Sequence, residues 1–144
     1  MRVRVEVNTN DAQELLQDVR DRIEDLRPVF RRAKEDLSDI YTKHFLSNGS
    51  GKWAPLDAEY GAWKSVRFPG APTLVRSGGL FKSIETFSVS EINRQSARFG
   101  TDAPVAKFHQ YGTWSMPKRE IIFEPPMFAK KLAKDAEHYI AEGN

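Results

Sequence analysis

A chain of 144 residues, 40% hydrophobic and 29% charged, has room for one domain, here read as 1–144, and is too apolar for disorder. Net charge is +2, from 22 basic and 20 acidic residues, too balanced for a protein that coats nucleic acid with clustered cations. With no cysteine, no apolar run near the ~18 residues of a membrane span and no signal-peptide core at the N-terminus, it reads as a protein of a reducing cytoplasm, without disulfides, thiolate zinc or membrane contact.

Residues 2–7 alternate, with Val3, Val5 and Val7 on one face and Arg2, Arg4 and Glu6 on the other, which predicts a strand. A long helix follows over 11–45. Asn10 and Gln13 have the spacing of a capping box. Leu16, Val19, Ile23, Leu26, Phe30, Ala33, Leu37, Ile40 and His44 recur at steps of three and four, a heptad-like seam. Pro28 removes a backbone donor and crowds the preceding turn, so a kink is expected near residue 28. Unbent, the helix would span roughly 50 Å at ~1.5 Å per residue, more than the roughly 35–40 Å width of a domain this size. It must bend or overhang, and an overhanging apolar stripe needs a partner.

Residues 47–73 form a long Gly-, Pro- and Ser-rich loop, with a short helix over Asp57 to Lys64. Its aromatic residues Trp53, Tyr60, Trp63 and Phe68, with Leu56 beside them, are too large for a solvated linker. They fold back on the core or anchor a neighbouring chain. Residues 79–123 hold a helical turn from Gly79 to Ser83, strands over Glu85–Ser90 and Ala97–Gly100, a short helix from Ala103 to Tyr111 stopped by Gly112, and a strand over Arg119–Phe123. Pro125-Pro126 opens a C-terminal helix over 126–142, with Phe128, Leu132, Ala136, Tyr139 and Ile140 on its apolar face and Gly143 at its end. The fold class is α+β: a small, mostly antiparallel sheet packed by a long kinked N-terminal helix and a C-terminal helix, with a long aromatic loop.

Chemical readings are weak. His109 could act as a general base assisted by Tyr111 or Lys107, which would make a hydrolase, but the chain has few complements and a catalytic set would have to be assembled entirely through the fold. His44, His109 and His138 lack metal-site spacing. Ser47 to Trp53 only faintly resembles a phosphate loop, without its Gly-Lys-Ser/Thr. The basic residues of the long helix alternate with Asp18, Asp21, Glu24, Asp25, Glu35 and Asp36, the pattern of a solvated face. No catalytic, cofactor-binding or metal-binding residue is assigned, and no cofactor is expected.

Segments from roughly Phe45 to the C-terminus carry a more specific pattern. Gly51-Lys52-Trp53-Ala54-Pro55-Leu56 looks like Gly-x-Trp-x-Pro-Leu. Leu74 to Ile84 matches Leu-x-x-[Ser/Thr]-Gly-x-Leu-x-x-Ser-Ile. Phe99-Gly100-Thr101, then Ala106 to Thr113 with His109-Gln110-Tyr111-Gly112, and finally Met116-Pro117-Lys118-Arg119 complete the set. In this order the segments resemble the bacteriophage virion morphogenesis family, the tail-completion and neck proteins of tailed phages. The chain departs from the family in having Glu120-Ile121 where Pro-Phe is usual.

The resemblance implies a non-enzymatic structural protein, made in the bacterial cytoplasm and resident in the virion. It would form a homo-oligomeric ring, a hexamer, at the head–tail junction. Partners implied are head-connector or head-closure proteins and tail-terminator or tail-tube proteins, with genomic DNA passing through. A tail terminator capping the tube is the alternative within that class, and a small nucleic-acid-binding module the alternative outside it. Interface candidates are Trp53, Leu56, Tyr60, Trp63, Phe68, His109 and Tyr111.

Overall fold

A computed structural model describes residues 2, 4 and 9–144. The strand expected from Val3, Val5 and Val7 lies outside the described residues. Among the described residues the order is α1 (Asn10–Glu24), α2 (Arg27–Leu46), α3 (Ala58–Arg67), α4 (Gly79–Glu85), β1 (Val89–Ile92), β2 (Ala97–Gly100), α5 (Ala106–Tyr111) and α6 (Phe128–Glu142). The class is α+β, as expected, with an antiparallel hairpin for its sheet, paired from Val89 with Gly100 to Ile92 with Ala97.

In place of one kinked helix over 11–45 there are two helices. Asp25 turns extended, with φ −135° and ψ 92°, and the break lies ahead of Pro28. Its cause is diverted hydrogen bonding. The Asp25 carboxylate accepts from the Arg27 backbone amide and guanidinium, and the Leu26 amide donates to the Arg94 carbonyl at 2.8 Å. Pro28 then sits in the first turn of α2, where its missing N–H leaves no bond unmade. The expected capping box is also absent. Thr9 holds the N-cap position of α1 without a side-chain bond, and Asn10 is already helical.

The interior of α2 is set by Val29, Ala33, Tyr41 and Phe45, with half-buried Leu37 between them. These recur at steps of four. Such a row drifts ~40° per step around the helix, which brings α2 against α6, α4 and β1 in turn. Tyr41, Phe45, Ile84, Phe87, Ala106 and Ile121 form the buried core. The aromatic members meet edge-on: Tyr41 lies 6.0 Å from Phe87 and 5.4 Å from Phe123, and Phe45 lies 5.4 Å from Trp53. By contrast α1 buries no residue. It is held at its C-terminal end, where Arg22 Nη1 donates to the Ile140 and Ala141 carbonyls at the end of α6, both at 3.0 Å.

Further differences concern the strands and the helix ends. The first strand starts at Val89, because α4 runs on through Glu85. The chain leaves α4 through a Schellman-type turn, with the Ser88 amide bonded to the Ser83 carbonyl and Phe87 at φ 53°. The short helices are α3, capped by Asp57 and running on to Arg67, and α5, which begins at Ala106. The last helix begins at Phe128, two residues after Pro126.

Arg119–Phe123 is not a strand. Its chain bends at Ile122 and, apart from the Arg119 amide, which donates to the His109 carbonyl at 2.8 Å, bonds to side chains rather than to another strand. Gln110 Oε1 accepts from the Ile121 and Ile122 amides, both at 2.9 Å, and Gln110 Nε2 donates to the Ile122 carbonyl at 2.7 Å. His44 Nε2 and Trp53 Nε1 both donate to the Glu120 carbonyl, at 2.8 and 3.1 Å. Tyr41 donates to the Phe123 carbonyl at 2.8 Å. Side chains here meet the bonding needs that a neighbouring strand would otherwise meet.

Gly112 ends α5 at φ 71° and ψ 174°, a region almost closed to other residues and distinct from the left-handed helical conformation in which glycines commonly stop helices. A Cβ there would stand 2.9 Å from the Lys118 amide nitrogen and 3.0 Å from the Met116 carbonyl oxygen. Gly112→Ala is therefore expected to destabilise by at least ~1–3 kcal/mol of backbone strain, read as a lower urea midpoint. A midpoint equal to wild type would contradict the tight turn.

Candidate interaction site

The sequence segments singled out above converge around the pinned 119–123 segment. Arg119 is 5% exposed. Its Nε donates to the Ala54 carbonyl at 2.9 Å and its Nη2 to the Pro55 carbonyl at 2.8 Å, tying the fourth motif to the first. Trp53 reaches Glu120 as described. The Ser83 and Thr101 hydroxyls lie 2.7 Å apart, joining the second motif to the third. The motif residues are thus largely those that bond one another, and they shape the surface through the positions they hold.

Between α3, α4, α5 and the 115–119 segment lies a groove of about 550 Å³. Its apolar wall includes Leu56, Tyr60, Leu74, Leu80, Val105 and Met116, and its polar groups are Asp57, Arg76, His109 and Arg119. Lys64, 3% exposed, lies close behind the wall, its Nζ donating to the Pro72 and Thr73 carbonyls. Neither Lys64 nor Arg119 has a carboxylate partner among the described residues. Burial lowers the Lys64 pKa, and Arg119 adds repulsion. Backbone carbonyls solvate both cations and leave their charge uncancelled. Asp57, the one carboxylate on the groove wall, is occupied as the α3 cap, accepting from the Glu59 and Tyr60 amides.

His109 lies on this wall with Nδ1 buried and unpartnered among the described residues. Burial, then the nearby Arg119, lowers its pKa below 6.5. The neutral ring is therefore the folded form at neutral pH. The sign follows from linkage: below pH 6.5 the unfolded chain binds the proton that the folded chain resists. Stability is full above about pH 6.5 and falls as pH drops toward the lower folded value. His109→Gln is expected to flatten the unfolding midpoint between pH 7 and 5. Parallel wild-type and variant profiles would contradict this placement.

The expected interface residues separate into groups. Trp53 is spent inside the subunit, edge-on to His44 and Phe45. Leu56 and His109 line the groove. Tyr60 and Trp63 stack at 5.7 Å on the half-exposed face of α3, with Phe68 edge-on to Trp63. Tyr111 is 77% exposed. With it stand residues that sequence reasoning passed over: Val105, Phe108 and Trp114, all exposed, Trp114 completely. The four recur at steps of three along α5 and just beyond, a spacing visible in the sequence beside the motif. Leu15 and Leu16 are likewise exposed, on α1.

Among the described residues no cluster of three or more His, Asp or Glu could hold a metal ion, and no helix is long and apolar enough to cross a membrane. The fold and site together define a small α+β protein whose large exposed side chains face outward in groups. Residues 7–137 match the model of the phage virion morphogenesis family. The chain belongs to that family, and its role is in assembly of the phage virion. No curated protein and no solved structure matches the chain.

Proposed function

We propose that the protein is a structural subunit of the head–tail junction, built into a closed six-fold ring. The ring joins the head connector to the tail and lets DNA pass through its centre. The observation that carries this reading is the exposure of the large side chains Phe108, Tyr111 and Trp114 on α5 and just beyond its end. Solvated apolar groups of this size in one short stretch of chain mark a surface that meets another protein. Family membership supplies the setting, virion assembly. The net charge of +2 suits a conduit that must release DNA rather than hold it.

A structural rather than catalytic role is supported by His109. The ring nitrogen that a carboxylate would orient in a catalytic pair is buried without a partner among the described residues. His109 and its neighbours then serve to set the subunit's shape.

The test is the double variant Tyr111→Ser, Trp114→Ser. Both side chains are solvent-exposed, so the unfolding free energy should move by less than about 0.5 kcal/mol. Incorporation into virions, measured by quantitative mass spectrometry of purified particles, should fall at least tenfold. Normal incorporation and normal infectivity would overturn the reading of this face as an assembly surface.

A further inference from the structure

Resting on the ring reading, we infer that the groove beneath α3, α4 and α5 receives the N-terminal half of α1 from the next copy of the chain. The ring would close through this head-to-tail contact. Two unsatisfied surfaces of the same molecule fit one another.

The first surface is α1. It buries nothing, and Leu15 and Leu16 are 58% and 68% exposed. Its first nine residues, Asn10 to Asp18, carry Asp11, Glu14 and Asp18 and no basic residue. This is an acidic helix end with adjacent leucines turned to solvent.

The second surface is the groove, with an apolar wall and a net positive charge, Arg76 and Arg119 against the single carboxylate of Asp57. Arg119 lines it and Lys64 lies behind, both without carboxylate partners among the described residues. Arg76 stands exposed at its rim, with its guanidinium 5.5 Å from the Trp63 ring centroid. In a low-dielectric groove such a field favours carboxylates and disfavours a basic segment. An acidic, leucine-bearing helix meets both requirements.

A copy cannot fill its own groove while α1 stays anchored. Arg22 ties α1 to the end of α6, beside the N-terminal end of α2. From Arg22 to Asn10 is roughly 18 Å of helix at ~1.5 Å per residue. The groove is lined from Leu56 onward, and its Arg119 is tied to Ala54 and Pro55, past the C-terminal end of α2, a 20-residue helix roughly 30 Å long. Donor and acceptor surfaces at opposite ends make a heterologous contact, the kind that generates rings when the rotation closes.

The absence of cysteine from the chain allows a clean covalent test in assembled virions. The pair Leu16→Cys with Ser77→Cys, on α1 and the groove wall, is compared with Leu16→Cys alone and with Leu16→Cys plus Ser90→Cys on β1. After mild oxidation, the first should give a ladder of disulfide-linked oligomers on a non-reducing gel and the other two only monomer. Disulfides form only between Cα atoms about 4.4–6.8 Å apart, so a ladder reports docking. Monomer from the Leu16/Ser77 pair, in virions whose copies an amine-reactive reagent still links into oligomers, would overturn the inference and leave the ring intact. Dimers from Leu16→Cys alone would overturn it in favour of a symmetric α1–α1 contact. No oligomers with the amine-reactive reagent would remove the ring reading and this inference together.

Discussion

Replacing Gln110 with alanine is expected to cost about 3–4 kcal/mol, at ~1 kcal/mol for each hydrogen bond lost plus the space left behind. One side-chain amide serves the Ile121 amide, the Ile122 amide and the Ile122 carbonyl, and Ile121 is a core residue at 1% exposure. Against a total stability of about 5–15 kcal/mol, the loss is large, and it corresponds to roughly 10 °C in Tm. Gln110→Glu sharpens the test. It keeps the acceptor but sets a carboxylate against the Ile122 carbonyl. Its deficit relative to wild type should shrink as pH falls through the carboxylate range, because a protonated Glu regains a donor. A Gln110→Ala loss below about 0.5 kcal/mol, within surface-substitution noise, would show that the amide does not stand in for a strand.

Trp53→Ala is expected to cost about 3–5 kcal/mol, the range for removing a large aromatic from packed surroundings. The indole lies edge-on to His44 and Phe45 and donates to the Glu120 carbonyl. It also fills the space above Gly49, where a Cβ would come within 2.3 Å of its ring. Its loss would therefore reach assembly through folding. Trp63→Ala, on a half-exposed face, should leave the unfolding free energy within about 1 kcal/mol of wild type. Equal midpoint changes for the two tryptophans would contradict this division of the aromatic loop into framework and surface.

Much of the fold was legible because it rests on local pattern. The turn before α4, the hairpin, the short helix of His109-Gln110-Tyr111 and the C-terminal helix follow from periodicity and from glycine and proline placement. The parts that were not legible depend on long-range bonds. The break at Asp25 and Leu26 needs Arg94, nearly seventy residues away, as the acceptor for the Leu26 amide. Arg119–Phe123 has the composition of a strand, but its partners are Gln110, His44, Trp53 and Tyr41. The α2 seam was misphased by one residue at several positions, because the real row steps by four and winds around the helix. Of the candidate site, the aromatic loop and the His109 segment were visible. The uncancelled cations Lys64 and Arg119 were not, since burial of a charge is a tertiary property.

The role of His109 shifted with the structure. The residue that most invites a catalytic reading lines a positively charged groove with its Nδ1 unpaired among the described residues. Its neighbour Gln110 holds the segment that leads to the last helix. The motif around it is a bonding scheme that fixes where the groove and the α5 face stand.

The proposed ring at the head–tail junction is most directly tested by cryo-electron microscopy of the intact virion with this chain located in the density. Six copies in a closed ring are expected between head connector and tail, with the α5 faces covered by protein and an open channel on the axis. Absence of the chain from purified virions, or single copies outside the junction, would contradict it.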